Sequence, residues 1–228
     1  MHVRLAEAKD LSDLATVATD AMWDDELTVF LAPYRHRHPE CLRQGFLRRA
    51  KKRFHGGHLL LAAVSDQEDV WGDGTEKIVG YLSATPGNES AGRDSRAGRS
   101  WNALELRLLH FEELFLWYTH SDKSVDRANW LEFQYHTGSR GPLDDIKDSW
   151  QINHLSVSPS YQRHGIGSTL VEYVQNIAAK ENIPVTLLAS AQGRLLYKKL
   201  GFADIGSVEY GAGNLAEAMV WYPADSSN

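Results

Sequence analysis

Gln162-Arg163-His164-Gly165-Ile166-Gly167 is the stretch on which the reading of this chain turns. Upstream of it, Ile152 to Val157 alternates apolar and polar side chains, the period of a strand, and Pro159 ends the run. Downstream, Leu170, Val171, Val174, Ile177 and Ala178 recur at helical spacing. A strand therefore feeds a short loop with two glycines, and the loop opens a helix. The first N–H groups of a helix lack internal partners, and the helix dipole places partial positive charge there. Gly165 and Gly167 let backbone approach a ligand, and Arg163 and His164 add charge or donors. The guest that suits such a loop is a phosphate or pyrophosphate, although a plain strand–turn–helix has the same pattern. No Gly-Lys-Ser/Thr follows, which excludes a P-loop, and Leu170 stands where a dinucleotide fold needs its third glycine.

Working outward, Pro184 to Ser190 reads as a buried strand. Leu195-Leu196-Tyr197-Lys198-Lys199-Leu200-Gly201-Phe202 reads as a short helix closed by Gly-Phe. With Trp150-x-Ile152-x-x-Leu155-x-Val157-x-Pro159, these motifs cover the C-terminal third densely. The loop resembles the Gln/Arg-x-x-Gly-x-Gly/Ala signature of the GCN5-related N-acetyltransferase (GNAT) superfamily, and the match is closest to fungal-type members. The resemblance implies an α/β (α+β) GNAT fold. Its mixed, mostly antiparallel central sheet has a splayed pair of strands 4 and 5, flanked by helices. It also implies a soluble, cytoplasmic acetyl-coenzyme A-dependent N-acetyltransferase acting on an amine of a small molecule or peptide. The alternative is a GNAT-like module that binds coenzyme A and regulates without catalysis.

Carried over residue by residue, the resemblance implies a cofactor site made of Leu155, Ser156 and Val157 on the fourth strand and Gln162 to Ser168 in the loop and first turn. These last are Gln162, Arg163, His164, Gly165, Ile166, Gly167 and Ser168. Ser190 stands where many members have an Asn near the cofactor, and Gly193 allows close approach to pantetheine. Tyr197 occupies the position of the acid that protonates the leaving thiolate. A phenol of pKa about 10 suits that task and stays protonated at working pH. The pattern fails at the base. Members often place Glu or His early on the fourth strand, where Gln151 and Asn153 stand here, and neither amide accepts a proton at neutral pH. His154 is the substitute, provided that a bulge turns it out of the strand's alternation. His120, Glu132 and His136 are fallbacks.

Towards the N-terminus, Val3 to Ala6 reads as a strand, Leu11 to Ala21 as a helix capped by Asp10 or Ser12, and Met22 to Tyr34 as its continuation. The resemblance places this region along the acceptor cleft, so Trp23 and Asp24, with Asp25 and Glu26, are amine-facing candidates. Pro39 to Phe54 reads as a helix, with Arg43, Arg48, Arg49, Lys51, Lys52 and Arg53 on its outer side. Two apolar runs, His58 to Val64 and Lys77 to Thr85, make a hairpin. Residues 86–149 are longer than a minimal GNAT link and read as a helical insertion, with a mobile loop at Pro86 to Arg99. Its helices are Trp101 to Tyr118 and Ser124 to Tyr135. Trp117 and Trp130 are candidates to line an acceptor pocket, and Trp101, Tyr118 and Tyr135 join them unless they pack the helices onto the sheet. Asp204 to Tyr210 and Ala216 to Tyr222 form a last hairpin. One domain spans 1–222, and 223–228 reads as a disordered tail.

The chain of 228 residues carries a net charge of −6. That length suits one domain, and the charge argues against general affinity for nucleic acid or an anionic membrane. The lone Cys41 fits a reducing compartment, and no His or Cys cluster suggests a metal. Monomer and homodimer are both compatible with the sequence.

Overall fold

The computed structural model describes residues 1–72, 74–87, 96–138 and 141–224. Seven strands form one sheet: β1 (His2–Leu5), β2 (Leu59–Val64), β3 (Ile78–Thr85), β4 (Trp150–Val157), β5 (Val185–Ala189), β6 (Ala203–Gly211) and β7 (Asn214–Trp221). Their order is β1-β2-β3-β4-β5-β7-β6. Every neighbouring pair is antiparallel except β4 and β5, which run parallel. The helices are α1 (Leu11–Ala21), α2 (Glu26–Leu31), α3 (Pro39–His55), α4 (Arg96–Thr119), α5 (Arg127–Thr137), α6 (Ile166–Glu181) and α7 (Arg194–Lys199). The expected mixed, mostly antiparallel sheet and the helices inserted between the third and fourth strands are present, and the fourth and fifth strands prove to run parallel. The segments expected to be a mobile loop and a disordered tail fall largely outside the described residues.

The sheet separates two apolar cores. On one face Leu170, Val171, Val174 and Ala178 of α6 pack on Leu82, Ile152, Val185 and Met219. On the other, Leu14 and Ala18 of α1 and Leu42 and Phe46 of α3 pack on Leu60, Ala62 and Tyr81. The register of β3 fits this division, because successive side chains go to opposite faces. Gly80 takes the slot under α6. A Cβ there would lie 2.9 Å from Ile166 Cγ2 and 3.2 Å from Leu170 Cδ1. The absent methyl lets the first turn of α6 sit directly on the sheet.

Two expectations fail locally. Met22 to Tyr34 does not continue α1. The chain turns at Met22–Asp24, and the Asp25 carboxylate accepts the Thr28 N–H at 3.3 Å to start a separate helix, α2. A side chain able to cap in the extended conformation competes with helix continuation there. Nor do Trp101, Tyr118 and Tyr135 pack onto the sheet; all three are exposed.

The start of α1 is fixed by an ion pair between a part-exposed Arg4 and a buried Asp10. Arg4 Nη1 donates to Asp10 Oδ2 at 2.6 Å and Nη2 to Oδ1 at 3.1 Å, and the Glu7 N–H donates to the same carboxylate at 2.7 Å. Arg4, followed by the backbone bond, holds the Asp10 carboxyl below its ordinary range. A depressed carboxyl pKa adds stability above its unfolded value, near 3.9, and that increment is lost as pH falls through the lower folded value. Asp10→Asn is therefore expected to cost about 1–3 kcal/mol at pH 7. The gap to the parent should shrink at pH 3, measured by urea unfolding at both pH values.

Candidate active site

β4 positions the centre of the site by leaving its neighbour. Trp150, Gln151 and Ile152 pair with Val185, Thr186 and Leu187 of β5, and no later residue of β4 does. On its other edge β4 stays paired with β3 as far as Val157, with a register shift that leaves Asn153 without a partner, opposite the step from Ser83 to Ala84. The strand thus bulges at Asn153 and opens an edge facing β5 along Leu155, Ser156 and Val157. Such an edge offers backbone donors and acceptors to an extended ligand.

The bulge also sets the aim of His154. Strict alternation would turn it to the α6 face with Ile152. Instead its ring packs on Tyr81 and Phe46 of the α1/α3 core, at centroid distances of 4.8 and 6.1 Å. Its Nε2 is 3.1 Å from Ser156 Oγ. Beside it, Ser83 Oγ is fully buried with no hydrogen-bond partner among the described residues. Burial, then the nearby Arg53 and Arg49, holds the imidazole pKa well below its ordinary value. The neutral ring is a poor proton acceptor near pH 7, so its setting argues against the general-base duty expected for it.

The loop between β4 and α6 forms a cradle. Gln162 donates its side-chain N–H to the Val157 carbonyl at 3.1 Å, which ties the loop back to the strand. Arg163 and Gly165 both take the left-handed conformation, with φ of 68° and 80°. The six consecutive backbone N–H groups from Arg163 to Ser168 have no acceptor among the described residues. Concave runs of free N–H groups at a helix start bind anions. Arg163 is exposed and unpaired among the described residues. His164 is not free: its ring stacks on Trp71 at 5.4 Å, and Trp71 meets Tyr161 edge-on at 5.6 Å. Trp71, in the β2–β3 loop, is a flank of the cradle that the sequence reading missed, because nothing local ties it to His164, 93 residues away.

The two glycines do different things. A Cβ at Gly165 meets nothing within 4 Å, so Gly165 is required by its φ. A Cβ at Gly167 lies 3.3 Å from Leu196 Cδ2, so Gly167 admits α7 against α6. Gln175 Nε2 of α6 also donates to the Leu200 carbonyl just after α7, at 2.9 Å.

α7 presents Tyr197. Its ring is buried against Phe202, with centroids 5.6 Å apart, and its hydroxyl has no hydrogen-bond partner among the described residues. Burial pushes the phenol pKa up. Ser190 Oγ accepts the Gly193 N–H at 3.2 Å in the turn that leads into α7, leaving its own proton to donate. The space over Gly193 is taken by Tyr197, whose Cε2 lies 3.2 Å from a Cβ placed there.

On the α3 face, the inserted helices and α3 border an open cavity of about 740 Å³. Trp117 and Trp130, both singled out in the sequence, line it, as does the fallback His120. Trp23 and Asp24 do not. Trp23 packs edge-on against His36, and its carbonyl accepts from Arg35 Nε at 2.7 Å. Asp24 is exposed, 3.7 Å from Arg35. Glu132 accepts the Ala212 N–H at 2.7 Å, and His136 stands 3.9 Å from Glu209. No group of three potential metal-ligating side chains occurs among the described residues, and no described helix is long and apolar enough to cross a membrane.

A family model for the acetyltransferase (GNAT) domain matches residues 114–204, from the end of α4 to the start of β6. Among solved structures, one similar chain is a Corynebacterium glutamicum protein described as histone acetyltransferase HPA2 and related acetyltransferase. It has 17% identity over 99% of this chain and 98% of that one, with a TM-score of 0.61. An aminoglycoside 6′-N-acetyltransferase complexed with coenzyme A is similar over the whole of both chains, at 12% identity and a TM-score of 0.53. The PaiA N-acetyltransferase of Thermoplasma acidophilum, also in complex with coenzyme A, is similar over 97% and 98% of the two chains, at 15% identity and a TM-score of 0.50. No curated protein matches. Identities this low speak to the fold. The domain match covers less than half of the chain, and the shared architecture is that of the GNAT acetyltransferase fold.

The different tasks of the two glycines give a direct check. Gly165→Val places a branched side chain at φ near 80° and is expected to cost about 1–2 kcal/mol. Gly167→Ala asks only the end of Leu196 to shift and should cost less. Chemical denaturation of the two variants measures the difference.

Proposed function

We propose that this chain is an N-acetyltransferase that moves an acetyl group from acetyl-coenzyme A to an amine of a small molecule or peptide, by direct attack within a ternary complex. The observation that carries this reading is the row of six unsatisfied N–H groups from Arg163 to Ser168, set where β4 parts from β5. Those donors, with Arg163, suit the pyrophosphate. The open edge at Leu155, Ser156 and Val157 suits pantetheine, and an N–H there, that of Leu155 in our assignment, is placed to polarise the thioester carbonyl. The thioester supplies the acyl group. The amine nitrogen forms the new C–N bond, the C–S bond breaks, and the amine gives up a proton as the sulfur gains one.

The raised pKa of Tyr197 refines its part. Transfer of a proton from this phenol to a thiolate whose conjugate acid lies near 8.5 is uphill. Tyr197 Oη therefore acts as a hydrogen-bond donor that stabilises the departing sulfur, and the net proton comes from the amine. With His154 a weak base, the acceptor attacks as the neutral amine or loses its proton to water. The weak base is also what favours the second reading, a coenzyme A-binding module without turnover. Coenzyme A release in the presence of any amine or peptide removes that reading.

Acetyl-coenzyme A should raise the melting temperature of the purified protein, and no shift at millimolar cofactor would defeat the proposal. Tyr197→Phe should keep that shift while the single-turnover rate falls about 10²-fold, the effect of losing one donor to developing charge. The rate should rise with pH to a plateau set by the acceptor amine, without an enzyme limb near pH 6.5. An unchanged single-turnover rate returns Tyr197 to a packing role.

A further inference from the structure

We propose that the cavity between α3 and the inserted helices takes an acceptor with an anionic group beside a flat apolar body, and that Arg49 holds the anion. This rests on the acetyltransferase reading. Five cationic and two acidic side chains line the cavity, a local excess of positive charge on a chain of net charge −6. The cations are unequal. Arg48 faces Asp122 at 3.2 Å and Glu112 at 3.6 Å, and Lys52 faces Glu113 at 2.9 Å. Arg127 stacks over the Trp117 ring at 3.9 Å. Arg49 has no acidic side chain within ion-pairing distance among the described residues, and Asp122 acts on it only from further off; Lys123 likewise has no ion pair there.

The guanidinium of Arg49 lies 4.3 Å over the Phe46 ring, and Phe46 packs on His154 of β4. One ring thus separates the cation from the strand where the chemistry is placed. Gly45, one turn earlier on α3, keeps the floor open. A Cβ there would meet only the guanidinium ends of Arg49 and Arg48, at 3.8 and 3.9 Å. Glycine in a helix interior is less stable than alanine, so the open floor is held against helix stability. Arg49 is exposed to solvent and flanked by the like charges of Arg53 and Arg48, and it stays charged at neutral pH. A cation crowded by cations gains most from an incoming carboxylate, which binds a guanidinium through two parallel bonds. Trp117 and Trp130 supply flat apolar wall. A polyamine or basic tail meets net repulsion here.

The test uses matched amines: 4-(aminomethyl)benzoate with benzylamine, phenylalanine with phenethylamine, and spermidine as the cationic opposite. For the carboxylated member of at least one pair, kcat/KM should exceed that of its neutral partner by about 10- to 100-fold, the range of a charge-assisted bond. Arg49→Gln should erase the excess and leave the neutral partner's value, while Arg49→Lys keeps part of it. Benzoate alone should raise the melting temperature of the parent and not of Arg49→Gln, a readout that needs no turnover. Equal use of neutral partners, preference for spermidine, or a benzoate shift that survives Arg49→Gln overturns the proposal. The acetyl-coenzyme A shift is run beside these, and its loss alone would fail the acetyltransferase reading instead.

A different observation carries a second inference. Trp101, Leu104, Leu108, Phe111, Phe115 and Tyr118 follow one another on α4 at steps of three and four, and all are exposed, by 44% to 78%. This is the a/d seam of a heptad repeat facing solvent. Four aromatics of 150–250 Å² each, about two-thirds exposed, leave on the order of 500 Å² of apolar surface. Leu104 and Leu108 bring this towards the roughly 800 Å² per partner of a standard interface. We infer that a second copy of the chain covers it through α4 packed in parallel. In that arrangement Arg107 of each helix meets Glu112 of the other, whereas antiparallel packing opposes Glu105 to Glu112. Sedimentation at rising concentration should show a dimer, and Leu108→Glu should return a monomer that still shifts with acetyl-coenzyme A. With Cys41 replaced by Ser, Leu108→Cys should cross-link to itself on oxidation. A monomer at tens of micromolar overturns the dimer, and a dimer that does not cross-link at this position overturns the parallel packing.

Discussion

Three residues of pairing between β4 and β5, and no more, are the constraint from which the site follows. A parallel strand pair that zipped to its end would satisfy its own backbone and leave nothing for a ligand. The extra residue at Asn153 prevents this, because it changes the strand's direction while β3 keeps hold of the other edge. The open edge, the exit into the loop and the reversal of His154 all follow from that insertion.

The cradle is fixed from below as well as from within. Ile166 rests on the bare backbone of Gly80, and Leu196 rests on that of Gly167. Two missing methyl groups thus bring sheet, α6 and α7 to contact distance. Tyr197 is aimed by the same contacts, since α7 is held by Gln175 and by its own packing on Phe202. Cofactor loop and phenol are therefore positioned by one packed unit, and side chains far from any ligand set the distance between them.

Much of this was legible in the sequence where the signal is local. Strand, loop and helix around Gly165 announce themselves by period and by glycine, and Tyr197 by the residues that follow it. What the sequence hid depends on long-range placement. Trp71 lies 93 residues from His164 and reads as part of a turn. The separate duties of Gly165 and Gly167 depend on which residue stands over each. His154 was ambiguous because parity decides its face and one unpaired residue reverses parity. The cationic run on α3 read as a solvated face, and only the position of the inserted acidic residues shows that Arg48 and Lys52 are neutralised and Arg49 is not. The heptad row on α4 looked like a helix seeking the core, but the core was already filled by α1, α3 and α6.

Arg163 carries a consequence for the speed of binding. A non-glycine residue in the left-handed conformation stands at a cost of order 1–3 kcal/mol, and here that cost is met before any ligand arrives. Gln162 and the stacked His164 hold the loop on either side of it. A cradle already in its strained shape has little ordering left to do on contact, so association is governed by encounter rather than by rearrangement. Encounter between an anionic guest and a loop with an exposed arginine is quickened by attraction, and salt screens that attraction within about 10 Å. The loop is thus built to capture its guest at a rate that varies with ionic strength, while the contacts beneath it decide how long the guest stays.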